Sequence, residues 1–469
     1  MLLKHFYDDN LAQASYLVGC QATGEAVVID PAREIEPYIK EANENGLTIK
    51  GALETHIHAD FVSGGREMAE RLGAVLYVSD EGDDDWKYEN IDHLPHQLLK
   101  DGDEVKVGNV TIGVLHTPGH TPESLSFTLK DGGTDNAMGV FTGDFLFVGD
   151  VGRPDLLDKA AGAEGTAEKG GQQMFESLQK FSELPDYLQI WPGHGAGSAC
   201  GKSLGAVPQS TLGYEKKENW VFSHTDADEF VRELTDEQPA PPVYFAEMKK
   251  VNKSGPGIVR DLNDPKRIDN PKELEEAIDN GVQVLDTRDS ARFAKNHVKG
   301  TFNIPINKAF ANWAGWLVDY DRDLYILTDE KDHHEVLTAL RSIGIDNVTH
   351  YMDATQAVTM SDRTEHYHNV TPEESVSMIE NGEAKVLDVR SEEEYEEAHI
   401  EGAAHIYLGE LPDKIDEVPS DRPLVVQCGS GVRSAIATSV LQANGITDIR
   451  NMDGGFGLWK KQVNKLIEA

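Results

Sequence analysis

The chain has 469 residues, too many for one hydrophobic core, so several domains are expected. A hydrophobic content of 39% excludes a disordered protein, and no apolar run reaches the ~18 residues of a membrane span. With Asp+Glu 82 against Lys+Arg 43, the net charge of −39 excludes nucleic acid and anionic membrane as partners and reads as a solubility feature. The start, MLLKHFYDDNLAQ, lacks the apolar core and cleavage site of a signal peptide, so a cytoplasmic protein is expected. Three cysteines, Cys20, Cys200 and Cys428, are too few for a disulfide scaffold at this size.

In chain order, Ala14–Gly19 and Ala26–Ile29 read as neighbouring strands, and Asp30-Pro31 ends the second. Ile35–Asn45 has helical spacing and stops at Gly46. A strand over Ile49–Leu53 then runs into Thr55-His56-Ile57-His58-Ala59-Asp60-Phe61, and Arg66–Leu72 is helix-like. Two histidines two apart in extended backbone point to one side, with a carboxylate two residues later. Imidazole and carboxylate gathered after a strand suit a first-row metal. Val75–Val78 is a short strand. Period-two alternation from Val105 through Val114 predicts antiparallel sheet, continued by Leu125–Leu129 and Gly139–Phe141. Gln172–Leu184 reads as a helix and Leu188–Trp191 as a strand.

Two further segments look like the rest of the metal shell, His116-Thr117-Pro118-Gly119-His120-Thr121 and Thr142-Gly143-Asp144; Pro192-Gly193-His194-Gly195 follows as a fourth motif in order. His93, His96 and His116 match no ligand position. The Gly-rich stretch from Gly193 to Lys202 lacks phosphate-loop spacing and reads as a pocket wall carrying Cys200, while Cys20, at a strand end, reads as buried. Pro239-Ala240-Pro241-Pro242 and Lys253-Ser254-Gly255-Pro256-Gly257 mark a domain exit.

An internal repeat follows. Leu285-Asp286-Thr287-Arg288, His297 and Gly300 recur as Leu387-Asp388-Val389-Arg390, His399 and Gly402, at a constant offset of 102. That period means two tandem domains rather than a solenoid, each a small α/β unit with a parallel sheet. The copies diverge at one loop. The second has Cys428-Gly429-Ser430-Gly431-Val432-Arg433, whereas the first has Thr328-Asp329-Glu330-Lys331-Asp332-His333. A cysteine at a strand-to-helix turn is activated as thiolate by the helix N-terminus, by loop N–H groups and by Arg433.

The four ordered metal motifs resemble the metallo-β-lactamase superfamily, and both repeats resemble rhodaneses, the first a degenerate one. Together the order resembles persulfide dioxygenase–rhodanese fusions. The resemblance implies an α/β multidomain fold: an αββα sandwich over residues 1–255, a rhodanese-like domain without cysteine over 256–365, and an active rhodanese domain over 366–469, the last two with parallel sheets. Glyoxalase-type members carry T-H-x-H-x-D-H and two zinc ions; here Phe61 stands where the final His would be. The resemblance therefore implies one Fe(II) per chain, held by His56, His120 and Asp144. His58, Asp60 and His194 stand as supporting residues or alternative ligands. Arg153 and Cys200 are implied at the substrate, and Gly429, Ser430, Gly431 and Val432 in the cradle of Cys428, with Arg433 as its partner. Four residues between Cys428 and Arg433, against five in related phosphatases, favour sulfur transfer over phosphate chemistry. The implied reaction is oxidation of a thiol persulfide by O₂ to sulfite and thiol, coupled to thiosulfate formation or use, in a dimer or tetramer that detoxifies sulfide. Two other readings are a glyoxalase II-like zinc thioester hydrolase and a non-catalytic sulfur carrier or sensor.

Overall fold

The computed structural model describes residues 1–156, 166–236, 238 and 241–468. Pro239 and Ala240 of the expected linker lie outside the described residues. Two compact units emerge: Met1–Leu262 with Leu340–Asp346, and Asn263–Ala339 with Asn347–Ala469.

The first unit holds two six-stranded sheets. One runs in order β1 (Leu2–Asp8), β2 (Gln13–Cys20), β3 (Glu25–Ile29), β4 (Thr48–Leu53), β5 (Val75–Ser79) and β6 (His96–Leu99). β1 to β3 form an antiparallel meander, and β3 to β6 are parallel. The helices Glu36–Glu44 and Gly65–Leu72 make the crossovers on either side of β4 that parallel pairing requires. The other sheet comprises β7 (Glu104–Val107), β8 (Val110–His116), β9 (Leu125–Lys130), β10 (Gly139–Gly143), β11 (Gln189–Pro192) and β12 (Ser210–Thr211). It is antiparallel except for β10–β11, whose crossover includes the helix Thr166–Ser182.

Burial explains the layering. All eight residues of β2 are buried, because both faces are covered. Tyr16 and Val18 join Val105, Ile112, Phe127, Phe141 and Trp191 in a core between the sheets. Leu17 points the other way, to Tyr38 and Met68 of the first sheet's helices. The far face of the second sheet, through Val140 and Ile190, packs on Met174, Leu178 and Phe230 from helices. The arrangement is an αββα sandwich.

The second unit holds two five-stranded parallel sheets. The first has order β13-β18-β17-β14-β16, from β13 (Lys266–Arg267), β14 (Gln283–Asp286), β16 (Phe302–Asn303), β17 (Leu324–Thr328) and β18 (Val348–Asp353). The second repeats it as β20-β25-β24-β21-β23, from β20 (His368–Val370), β21 (Lys385–Asp388), β23 (Ala404–His405), β24 (Leu424–Gln427) and β25 (Ile449–Met452). Each copy adds a two-stranded antiparallel ribbon: β15 (His297–Val298) with β19 (Thr364–Glu365), and β22 (His399–Ile400) with β26 (Ile467–Glu468). The repeated Asp-x-Arg has one geometry in both. Arg288 Nη2 donates to Asp286 Oδ2 at 2.6 Å and to the Asn296 carbonyl; Arg390 Nη2 does the same to Asp388 Oδ2 at 2.6 Å and to the Ala398 carbonyl. These buried forks tie a strand end to the following loop. Among the described residues, no helix is long and apolar enough to cross a membrane.

Candidate functional site

The metal residues sit in loops that follow strands: His56, His58 and Asp60 after β4, His120 between β8 and β9, Asp144 after β10, and His194 after β11. All six are buried. Ligand atoms of His56, His120 and Asp144 lie within 4.8 Å of one another.

Hydrogen bonds sort the four histidines. The Thr55 hydroxyl donates to Asp30 Oδ2 at 2.8 Å, so at 3.0 Å it accepts from His56 Nδ1. His56 Nε2 is then an unprotonated lone pair, and it has no protein partner. His120 Nδ1 donates to the Arg153 carbonyl at 2.9 Å, which again leaves Nε2 bare, 3.6 Å from Asp144 Oδ2. Burial holds both imidazoles below their ordinary pKa, His56 further because of the charge on His58. Two neutral rings with free Nε2 atoms beside an unpartnered carboxylate oxygen, Asp144 Oδ2, form a donor set for a divalent cation.

The other two rings carry protons. Burial works against charge on His194, but Asp144 Oδ1 at 2.7 Å from Nδ1 and Asp60 Oδ2 at 2.6 Å from Nε2 outweigh it and push its pKa up to about 10. Burial likewise opposes the charge of Asp144, but His194, His56 and His120 hold its carboxyl below the usual range. His58 turns Nε2 toward Asp30 Oδ1 at 3.1 Å and Glu54 Oε2 at 3.4 Å; burial opposes its charge, and these two carboxylates override it. The Phe61 ring packs 4.4 Å from the His58 ring, where the glyoxalase pattern would place an imidazole. A second group, Asp60, His194 and Cys200, also meets the 4.8 Å criterion.

Arg153 is fully buried and pairs with Asp155 through Nε and Nη2, at 2.8 and 2.7 Å, and among the described residues Nη1 has no partner. Its backbone does two jobs: the carbonyl orients His120, and the N–H donates to the Cys200 carbonyl at 3.0 Å. Burial, then Asp60 and Asp144, push the Cys200 thiol well above its ordinary pKa, so it is a thiol rather than a thiolate. His93, His96 and His116 hydrogen-bond to Glu70, the Leu94 carbonyl and the Pro122 carbonyl, outside the cluster.

Sequence reasoning missed the groups that hold the loop. Asp30 adopts φ +47°, rare for a non-glycine residue, and accepts the Thr55 N–H at 2.7 Å as well as the hydroxyl. Asn252 Nδ2 donates to the carbonyls of His58 and Phe61. Glu123 Oε1 accepts the Ile57 N–H at 2.8 Å, and Oε2 has no partner. Burial raises the Glu123 pKa to about 7, above its model-peptide value. A carboxyl raised on folding favours the native state below its unfolded pKa and loses that contribution as pH rises through the folded one. Glu123→Gln keeps the Ile57 acceptor without the charge. It is therefore expected to gain stability over the parent at pH 8, on the order of 2 kcal/mol, with the gain vanishing near pH 4 in urea unfolding curves.

Cys428 follows β24 directly, is fully buried, and its Sγ accepts the Gly431 N–H at 3.1 Å. Gly431 takes φ +94° before the helix Val432–Ala443. Gly455 packs so tightly that a Cβ there would lie 2.0 Å from the Cys428 carbonyl oxygen, which accepts the Phe456 N–H at 2.7 Å. The loop Gly429-Ser430-Gly431 is thereby fixed from both sides. Arg433 directs its fork to Glu394, at 2.6 and 2.7 Å, so its positive charge is shared with a carboxylate. In the first copy Thr328 ends β17 in the place of Cys428.

Comparison with known proteins agrees with this architecture. The metallo-beta-lactamase superfamily model matches residues 8–198, and the rhodanese-like domain model matches 270–359 and 371–462. The chain is similar to the crystal structure of a metallo-beta-lactamase from Staphylococcus aureus subsp. aureus COL, with 45% identity and a TM-score of 0.68, covering 75% of this chain and 98% of that one. It is also similar to the hydroxyacylglutathione hydrolase of Rhodospirillum rubrum, 32% identical over 181 residues, which are 38% of this chain and 60% of that relative's length. A third likeness is to the crystal structure of ETHE1 from Myxococcus xanthus, with 28% identity and a TM-score of 0.45 over 54% of this chain and 99% of that one.

Proposed function

Starting from a chain that belongs to the metallo-β-lactamase superfamily and continues into two rhodanese-like domains, we propose that it is a persulfide dioxygenase joined to a sulfurtransferase. In this reading a low-molecular-weight thiol persulfide and O₂ react at one non-haem Fe(II) per chain. The observation that carries the reading is the sorting of the histidines. Of the four histidines in the cluster, burial favours the neutral form of His56 and His120, whose Nδ1 bonds leave Nε2 unprotonated, and Asp144 completes a set of two imidazoles and one carboxylate. That composition suits non-haem iron better than a pair of zinc ions.

Fe(II), when bound, supplies redox activation of O₂ beside the substrate sulfur. The chain's own residues do the rest. Asp30 and Thr55 fix the His56 tautomer, the Arg153 carbonyl fixes that of His120, and His194 orients Asp144. The outer sulfur leaves as sulfite and the inner one as thiol; a water provides the third oxygen, and two protons are released. At the second site the Cys428 thiolate attacks the outer sulfur of another persulfide, the S–S bond breaks, and thiol leaves. Sulfite then takes the sulfane sulfur as thiosulfate and regenerates the thiolate; run backwards, thiosulfate would feed the dioxygenase. Joining both sites in one chain raises the effective concentration of the shared intermediate.

A second reading, zinc-dependent thioester hydrolysis, draws on the likeness to hydroxyacylglutathione hydrolase and on the group Asp60, His194 and Cys200. Glutathione persulfide supplied in air and under argon separates the two. The expected result is sulfite plus thiosulfate in proportion to the O₂ consumed, and neither under argon. Rapid cleavage of a glutathione thioester under argon, without sulfite in air, would move the protein to the hydrolase reading.

A further inference from the structure

The middle domain keeps the rhodanese sheet but has Thr328 where a nucleophile would stand. The carboxyl ends of its strands β14 and β17, with the loop after β16, nevertheless open on a cavity of about 550 Å³. Ligands of α/β sheets bind at carboxyl strand ends, and small-molecule sites fall at about 300–1,000 Å³. Ser430, Gly431 and Val432 of the Cys428 loop also line this cavity, so the degenerate strand ends and the loop of the reactive cysteine share one space.

Its wall has a definite chemistry. Tyr367 and Asn451 are 5% and 4% exposed, and both line the cavity. Among the described residues, Tyr367 Oη and Asn451 Oδ1 have no hydrogen-bond partner, although the Asn451 amide nitrogen donates to Asn369 at 3.0 Å. Leaving such buried polar atoms unsatisfied is unfavourable, and a ligand with polar groups would relieve it. The three cations on the wall are already matched: Arg288 by Asp286, Arg292 by Asp329 and Lys331 by Asp332. Asp453 forms no ion pair among the described residues, whereas Asp289 caps the helix Ser290–Lys295 by accepting the Ala291 and Arg292 N–H groups. The cavity thus offers one unmatched carboxylate, Asp453, with an amide oxygen and a phenol hydroxyl. It suits a ligand bearing an ammonium group and further polar groups.

We propose that this cavity binds the carrier portion of an ammonium-bearing low-molecular-weight thiol, of the amino-acid or short-peptide class, beside the Cys428 loop. That the ligand is a sulfur carrier rests on the sulfur-transfer reading of Cys428; the binding itself does not.

Calorimetric titration of the full chain with S-methylglutathione and S-methylcysteine tests the site, since neither thioether can carry sulfane sulfur. At least one is expected to bind the parent protein. Affinity should fall tenfold or more when the probe's amine is acetylated, and likewise in Asp453→Asn and in Tyr367→Phe. Asp453 is exposed, so its variant is not expected to disturb folding. Absence of binding by both probes overturns the proposal, and so does binding unchanged by acetylation or by both substitutions. Binding as expected in a protein that forms no thiosulfate would keep the ammonium site and discard the sulfur-transfer reading instead.

Discussion

Cys428→Ser is expected to lower thiosulfate formation ~10³-fold or more, while persulfide-dependent O₂ consumption stays within about twofold of the parent. The large effect follows from the chemistry. A serine hydroxyl in the same cradle is not ionised near neutrality and cannot hold a sulfane sulfur as a persulfide. The small effect follows from where the residues are: Cys428 follows β24, whereas His56, His120 and Asp144 follow strands of the sandwich. The fold should tolerate the change. Serine is smaller than cysteine only by the bond-length difference at Sγ, and the Gly431 N–H keeps an acceptor. Thiosulfate measured by chromatography, alongside an oxygen electrode, reads both sites in one preparation. Loss of both activities together would mean that the sites do not act independently and that the two-step scheme is wrong.

His120→Ala should act the other way, removing one of the two neutral imidazoles. Metal affinity, read by competition with a chelator, is expected to drop ~10³-fold, and O₂ consumption with it, while sulfur transfer from thiosulfate persists. Asp30→Asn offers a graded comparison. Asp30 touches none of His56, His120 and Asp144, although it pairs with His58; it accepts the Thr55 hydroxyl and so fixes which His56 nitrogen is bare. Losing that relay is expected to weaken metal binding by about 10–100-fold, as for other outer partners of metal-bound histidines. If Asp30→Asn binds metal as the parent does, the hydrogen-bond chain does not set the tautomer.

The architecture was legible in the sequence where many residues carry one signal. The alternation from Val105 to Val114 placed β7 and β8, and the 102-residue offset separated the tandem copies. Signals faded where a few residues or long separations decide the outcome. β1 and β6 escaped notice because edge strands are short or half exposed and alternate weakly; β1 mixes exposed and half-buried positions. The helix Thr166–Ser182 begins earlier than the expected Gln172, because Gly170-Gly171 reads as a break. Close packing explains those glycines: a Cβ on Gly170 would stand 2.7 Å from Pro154, and one on Gly171 2.9 Å from Val231.

The site divides in the same way. Four ordered motifs pointed to a metal cluster, and the structure gathers His56, His120 and Asp144. Their supports come from single polar residues far along the chain: Asp30 from a strand end, Glu123 from the β8–β9 loop, and Asn252 nearly 200 residues on. A single Asn or Glu has no local pattern, so only folding brings it into view. Asp30-Pro31 was visible as a strand terminator, and its φ of +47° gives that position a second purpose.

Metal analysis of the purified full chain, paired with O₂ uptake on addition of glutathione persulfide, separates iron from zinc chemistry. About one iron per chain and rapid uptake that a chelator abolishes are expected. About two zinc ions per chain without uptake would contradict that expectation, and would mean that Asp60, His194 and Cys200 complete a second metal position despite Phe61.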